Sequence, residues 1–415
     1  MRIVRGPRIA AEMRRLAARA PAADAATEAA ARRVVTNVRR RGDAALRRYA
    51  QRWDGLRPGQ PLQVAPEEMQ RALASVSGEF RRALETAARN IRRFCGWQRP
   101  REFRREIAPG ICVGQVIRPL ESVGCYVPGG RYPLPSSLLM TVIPAQVAGV
   151  KRVAVASPRP AAETLAAAAL LGVEEFFRIG GAQAIAALAY GADSVPPVAK
   201  IVGPGNRYVT AAKKLVAFDC AIDFLAGPTE VVILSDGGQP SFIAADLIAQ
   251  AEHDPDATAI FITSSAPLAR AVAQAVRRGS RANPTASASL RRNGVILLCG
   301  SRAQALQLAD AMAPEHITVS PEDVSQITSA GSIFVGDYSP QALGDYASGP
   351  NHVLPTAGAA RFRGGLSVLD FLKIISIQEV SRAGLERMAP VVETLATAEG
   401  LSAHAASVRL RCSHA

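Results

Sequence analysis

Val123-Gly-Cys-Tyr-Val127, followed at once by Pro-Gly-Gly130, is the stretch that decides the fold. A short run of strand-forming residues ends in a turn built from small and rigid ones. The pattern then repeats. Residues 153–156 run into Ser-Pro, 176–179 into Gly-Gly-Ala-Gln183, and 201–202 into Gly-Pro-Gly-Asn206, with Ala-rich helical stretches between them. Glycine at the carboxyl end of successive strands is what a parallel α/β sheet needs where a ligand approaches its crevice. A second series follows at 231–234, 259–263, 295–298, 317–319 and 332–335. The chain is therefore expected to be α/β, with two domains and a cleft between them.

Outward from these series, residues 24–53 and 66–95 read as two amphipathic helices. In the second, Met69, Leu73, Val76, Phe80, Leu84, Ala87, Ile91 and Phe94 form one apolar stripe at spacings of three and four. Pro66 suits a first helical turn, and the Gly- and Pro-rich residues 55–61 read as the turn between the helices. From about Leu366 the tail reads as mostly helical. No internal repeat or long low-complexity linker is evident.

The chain has 415 residues, 48% hydrophobic and 20% charged, as in an ordinary globular protein. Its longest apolar candidate, residues 137–150, is broken by Pro144 and falls short of the roughly 20 residues needed to span a bilayer. No continuous apolar stretch follows the N-terminal arginines, so no signal peptide is expected. Six cysteines without a CxxC pair fit reduced thiols, and a cytoplasmic location is expected. The net charge of +14 is concentrated in residues 1–110, which hold 25 Arg and 11 acidic residues; the other 305 hold 24 of each sign. No nucleic-acid motif accompanies that surplus, so a solvated or subunit-facing helical surface is favoured over a nucleic-acid face.

Four of the five histidines sit in short polar motifs. Gln250 and His253 lie three apart in a helical reading, which puts both on one face; an oxygen and an imidazole nitrogen there suit a cation, and equally suit a plain helix end. Asp345 and His404 are candidates to complete such a set. Glu315-His316 precedes a strand and reads either as an acid/base pair or as a surface pair starting that strand. Gly203-Pro-Gly-Asn206 is either a phosphate turn or a tight strand-to-helix turn. Tyr208 replaces the third glycine of a dinucleotide fingerprint, and no ribose-binding acid follows. The polar loop 345–355, which carries His352, is either functional or a structural Ω-loop.

Together these stretches resemble the histidinol dehydrogenase family. The residues that carry the resemblance are Gly124-Cys-Tyr-Val-Pro-Gly-Gly130, Gly180-Gly-Ala-Gln183 with the Ala-rich run to Ala189, Gly203-Pro-Gly-Asn206, Ala226-Gly-Pro-Thr-Glu230, Gln250-Ala-Glu-His253, Pro314-Glu-His316, the 345–355 loop and Ser402-Ala-His404. They are collinear from roughly Arg32 to Arg411. The resemblance implies two incomplete Rossmann-like domains with parallel sheets plus helical N- and C-terminal elements. The domains would be 1–125 with 230–366, carrying the N-terminal helices, and 126–229, contacting NAD; a helical tail, 367–415, would pack on the partner subunit. It implies a zinc enzyme that oxidises L-histidinol twice, through the aldehyde, to L-histidine with NAD, as a homodimer with swapped elements and no membrane or nucleic-acid partner. By the same resemblance Gln250, His253, Asp345 and a second subunit's His404 would hold Zn2+, and Glu315 and His316 would be the acid/base residues. Thr229, His352 and Glu399 would line the substrate site with the zinc ligands and His316, and Tyr126, Gln183 and Asn206 would contact NAD. The chain departs from the family at Thr229 in place of Ser, at Met312, and at Arg361 and Arg363. These departures leave open a same-fold enzyme acting on another primary alcohol, an anionic one if the two arginines face the pocket.

Overall fold

Strand Ser122–Tyr126 is buried along its whole length, and its side chains alternate between two cores. Val123 and Cys125 join Leu138, Leu139 and Val142 of helix Pro135–Ala148. Tyr126 joins Ile185 and Leu188 of helix Gly181–Tyr190 together with Val34, Val38 and Leu46 of helix Ala25–Trp53. A strand with both faces covered by helices is the environment of a parallel sheet. The computed structural model, which describes residues 1–17, 24–129 and 132–413, places this strand at the centre of five parallel strands. Gly130 and His414 lie outside the described residues.

The chain leaves Ser122–Tyr126 on one side through Arg152–Ala156 and Glu175–Phe177, then returns on the other through Lys200–Val202 and Ala221–Ile222. The strand order therefore reverses beside Tyr126, where open α/β sheets form their ligand crevice. Gly203 makes the return possible. Its φ is +110°, and a Cβ there would stand 2.1 Å from the Tyr126 carbonyl oxygen, so no other residue fits.

The second series forms a six-stranded parallel sheet, in the order Arg2–Arg5, Val295–Leu298, Thr258–Thr263, Glu230–Leu234, His316–Val319 and Ser332–Val335. Val232, Ile260, Val295 and Ile317 fill one face; Val231, Phe261 and Ile296 fill the other. A third, antiparallel sheet joins Phe103–Ala108, Ile111–Pro119 and Leu372–Val380. From it the chain continues into helices Arg382–Ala398 and Ser402–Ser413, which pack on each other.

Four details differ from the sequence reading. The stripe of 66–95 is two helices, Pro66–Ser75 and Gly78–Trp97. Val76 and Ser77 are extended between them, and the Ser77 hydroxyl caps the second by accepting from Phe80 N at 3.1 Å. The helix Ala25–Trp53 is broken at Gly42, whose φ is +50°. The tail, mostly helical as expected, also contains the nine-residue strand Leu372–Val380, which the reading did not give. The boundary at 125/126 cuts the central strand, and helices Ala25–Trp53 and Gly78–Trp97 pack on the five-stranded unit rather than with the six-stranded sheet.

Candidate active site

Strands Glu230–Leu234 and His316–Val319 are parallel neighbours, with His316 opposite Val231. That register brings Thr229 and Glu230 beside Glu315 and His316 at one edge of the sheet. Glu315 Oε2 accepts from Thr229 Oγ1 at 2.5 Å and from Glu230 N at 2.8 Å. Helix Pro240–Ala251 runs back to the same edge and ends with Gln250, whose Nε2 donates to Thr229 Oγ1 at 2.5 Å. One hydroxyl thus links Gln250 to Glu315.

Glu315 and His316 are both buried, at 7% and 4% exposure, so they are not a surface pair. His316 Nδ1 lies 3.2 Å from the Glu230 carbonyl oxygen. Donation to that carbonyl fixes the tautomer of the neutral ring and leaves the base lone pair on Nε2. Nε2 is buried without a hydrogen-bond partner, 3.7 Å from Asp345 Oδ1. Burial alone would depress the imidazole, but the Glu315 and Asp345 carboxylates outweigh it and raise it to about 9. Burial pushes Glu315 above the usual carboxylate range against the pull of His316 and its hydrogen-bond donors. Burial also works against charge on Asp345, yet His316, with His352 and His253 beyond, holds that carboxyl below its ordinary value.

Asp345 belongs to the short helix Gln341–Tyr346, and its carbonyl faces His352 Nδ1 at 2.7 Å. His352 Nε2 in turn lies 3.4 Å from Ser137 Oγ, on helix Pro135–Ala148 of the other unit. Asn351 donates to the Met140 carbonyl of that helix at 2.6 Å. The 345–355 loop therefore ties the two units together at the cluster. Ser137 escaped the sequence reading, because nothing in the helix sets it apart from Ser136, Thr141 and Gln146.

His253 lies just past the end of the helix that carries Gln250, close enough to act on the Asp345 carboxylate. The helix ends at Ala251, and His253 is exposed beyond it, with Nδ1 3.0 Å from the Ala249 carbonyl. Among the described residues no three His, Cys, Asp or Glu are grouped as a cation site. The donor chemistry nevertheless fits zinc. Gln250 turns its amide nitrogen to Thr229, which leaves its carbonyl oxygen; His253 keeps Nε2; and Asp345 supplies a carboxylate. Glu399 and His404 are exposed on the C-terminal arm, and among the described residues no side-chain hydrogen bond or ion pair joins either to this cluster.

Tyr126, Gln183 and Asn206 converge elsewhere, on a cleft of about 1080 Å³ at the carboxyl end of the five-stranded sheet. Neither Glu315 nor His316 lines it. The cleft reaches the upper end of the roughly 300–1,000 Å³ of small-molecule sites, enough for a dinucleotide. Asn206 caps helix Arg207–Val216, accepting from Tyr208 N at 3.0 Å and Val209 N at 3.2 Å, so the Gly-Pro-Gly-Asn turn is a strand-to-helix turn that also faces the cleft. The buried Tyr126 hydroxyl accepts from Gly181 N at 3.1 Å. Asp54, unremarked in the sequence, orients Gln183 by accepting from its Nε2 at 2.9 Å and from Gly180 N at 3.0 Å. Thr210, one turn into the Asn206-capped helix, donates to the Ala226 carbonyl at 3.1 Å, and Ala226 leads directly into Thr229.

Arg361 and Arg363 are used structurally. Arg361 donates to the Ala311 and Gly358 carbonyls. Arg363 donates to the Asp223 carbonyl, pairs with Asp370 at 3.2 Å and covers the Phe224 ring. All six cysteines are free. Among the described residues no helix is long and apolar enough to cross a membrane.

Comparison with known proteins agrees with this geometry. The family model described as histidinol dehydrogenase matches residues 17–412. A histidinol dehydrogenase of Gluconobacter oxydans is 47% identical over 393 residues, covering 92% of this chain and 91% of the relative. That of Methanosarcina mazei is 46% identical over 418 residues, covering 97% and 95%. The crystal structure of histidinol dehydrogenase from Elizabethkingia anophelis superposes with a TM-score of 0.94 at 34% identity, covering 99% of this chain and 98% of that one. The chain belongs to the histidinol dehydrogenase family.

Proposed function

We propose that this chain oxidises L-histidinol through the aldehyde to L-histidine, with NAD and zinc as cofactors. The observation that carries the reading is the buried Glu315–His316 pair, held by Thr229 and Glu230 on one side and faced by Asp345 on the other. NAD, when bound, supplies a hydride acceptor for each oxidation, and zinc, when bound, supplies a Lewis acid that holds the substrate's nitrogens and oxygen. Gln250, His253 and Asp345 would hold the zinc, with His404 of a second copy as the fourth ligand; Tyr126, Gln183 and Asn206 would hold the dinucleotide.

The protein's own groups divide the proton work. In its neutral form His316 carries its lone pair on Nε2, the atom that takes the proton of the alcohol in the first oxidation; with the ring raised to about 9, that form becomes more populated as pH rises. The aldehyde must then add water. Glu315 keeps Oε2 in two hydrogen bonds and offers Oε1 to deprotonate that water; the protonated His316 returns its proton to the former aldehyde oxygen and, neutral again, takes a hydroxyl proton of the hydrate as the second hydride leaves. Burial of both groups keeps bulk water from the intermediate. His352, fixed between Asp345 and Ser137, and Thr229 line the substrate space, with Glu399 reaching it from the second copy.

A homodimer with swapped C-terminal elements follows from the same reading. Ile374, Ile375, Leu395 and Leu410 of the arm are exposed in the single chain, and a partner would cover them. The occupied guanidinium groups of Arg361 and Arg363 count against an anionic alcohol as substrate.

Glu315→Gln tests the division of labour. Hydride transfer from the alcohol should persist, while oxidation of the aldehyde should fall by about 10²-fold or more, the usual worth of a general base. Equal loss in both steps would contradict it.

A further inference from the structure

The Gly203-Pro-Gly-Asn206 turn that faces the cleft is gripped from behind by an ion pair to which the reaction gives no role. Lys213, on helix Arg207–Val216, pairs with Asp223, which directly follows strand Ala221–Ile222. Both side chains are buried, and neither lines the cleft. Between them they hold both backbone groups of Gly203. Lys213 Nζ donates to the Gly203 carbonyl at 2.9 Å, and Asp223 Oδ2 accepts from Gly203 N at 2.8 Å. Asp223 Oδ1 accepts from Lys213 and, at 2.6 Å, from Phe224 N.

The turn so held ends at Asn206, and Asn206 caps the helix that carries Lys213. Turn, cap, helix and lysine therefore form a closed loop, and a rotated Gly203 peptide would carry Asn206 with it. The pair also reaches toward the other unit. Thr210, one turn before Lys213, donates to the Ala226 carbonyl, and Arg363 donates to the Asp223 carbonyl. A buried ion pair is a poor device for stability alone. Desolvation of the two charges offsets their attraction, and replacing both by uncharged groups is often neutral. What charged partners provide is direction, through short charge-assisted hydrogen bonds to one peptide.

We infer that Lys213 and Asp223 are positioning residues for the dinucleotide: they set the 203–206 turn so that Asn206 meets it, and a replacement that preserves stability does not preserve affinity. The inference rests on the reading of the cleft as the NAD site.

The test is calorimetric titration of the zinc-loaded full chain with NAD and, separately, with L-histidinol, beside thermal melting. It compares the unaltered chain with Lys213→Met and with the double variant Lys213→Met, Asp223→Asn. Lys213→Met leaves the Asp223 carboxylate buried without its cation and should melt lower; the double variant removes both charges and should recover most of the melting temperature. In both, NAD should bind about tenfold more weakly, the order of one hydrogen bond, while the affinity for L-histidinol is unchanged. Unaltered NAD affinity in the double variant would overturn the inference alone. So would parallel loss of both affinities, or failure of both variants to fold, since each marks a purely structural pair. If only the double variant fails to fold, the two affinities of Lys213→Met decide in the same way. No binding of NAD by the unaltered chain would overturn both the inference and the reading of the cleft.

Discussion

A single hydroxyl organises the candidate site. Thr229 donates to Glu315 and accepts from Gln250, so the proposed water-activating carboxylate and a proposed zinc ligand share one partner. Asp345 has a similar double relation, since it faces His316 and offers a carboxylate where zinc would sit. Asp345→Ala should therefore leave dialysed protein with markedly less bound zinc, read by elemental analysis; full retention of the metal would remove Asp345 from the ligand set. At this scale the sequence named residue types well and partners poorly. Glu315 and His316 were visible as adjacent titratable groups, but nothing in a linear chain announces that both are buried. Ser137 and Asp54 lie 215 and 129 positions from the residues they orient, a separation that no local pattern spans. His253 lies two residues past the last helical residue, Ala251, yet still acts on Asp345, so the spacing by three pointed toward the cluster.

The elements were legible where hydrophobic alternation and punctuation agree. The strands before Pro-Gly-Gly, Gly-Gly-Ala-Gln and Gly-Pro-Gly-Asn appear close to where they were expected, because β-rich runs flanked by glycine have few other solutions. The turn after Lys200–Val202 is the tightest of these. Gly203→Ala would drive a Cβ into the Tyr126 carbonyl at positive φ, so it should destabilise the fold by about 3 kcal/mol or more and lower the melting temperature by several degrees. A melting curve equal to that of the unaltered chain would contradict the assigned turn. The periodic stripe at 66–95 misled because apolar spacing ran through a short break at Val76 and Ser77 that a serine cap accommodates. Strand Leu372–Val380 was missed because it pairs with Ile111–Pro119, more than 250 residues earlier, and half-exposed apolar residues such as Ile374 do not settle a face.

At the scale of the whole molecule, the chain holds two separate candidate sites. The carboxyl edge of the five-stranded sheet forms the arginine-lined cleft, and the amino-terminal edge of strands Glu230–Leu234 and His316–Val319 carries the buried Glu315–His316 cluster. The 345–355 loop and the Thr210–Ala226 hydrogen bond join them. Glu399 and His404 are exposed on the C-terminal arm, and the proposed function assigns them to the site of a second copy. Mixing is the direct check. Glu315→Gln and His404→Ala should each fail to form L-histidine alone, whereas random re-pairing of the two should recover up to about a quarter of the unaltered activity, from heterodimers with one intact site. No recovery in verified heterodimers would place His404 outside a shared site.

The central claim is a four-electron oxidation within one site. Purified, zinc-loaded protein is incubated with limiting L-histidinol and excess NAD, and the NADH formed per substrate consumed is counted with the product identified. The account predicts about two NADH and L-histidine; one NADH with free aldehyde accumulating, or no NADH at all, would contradict it.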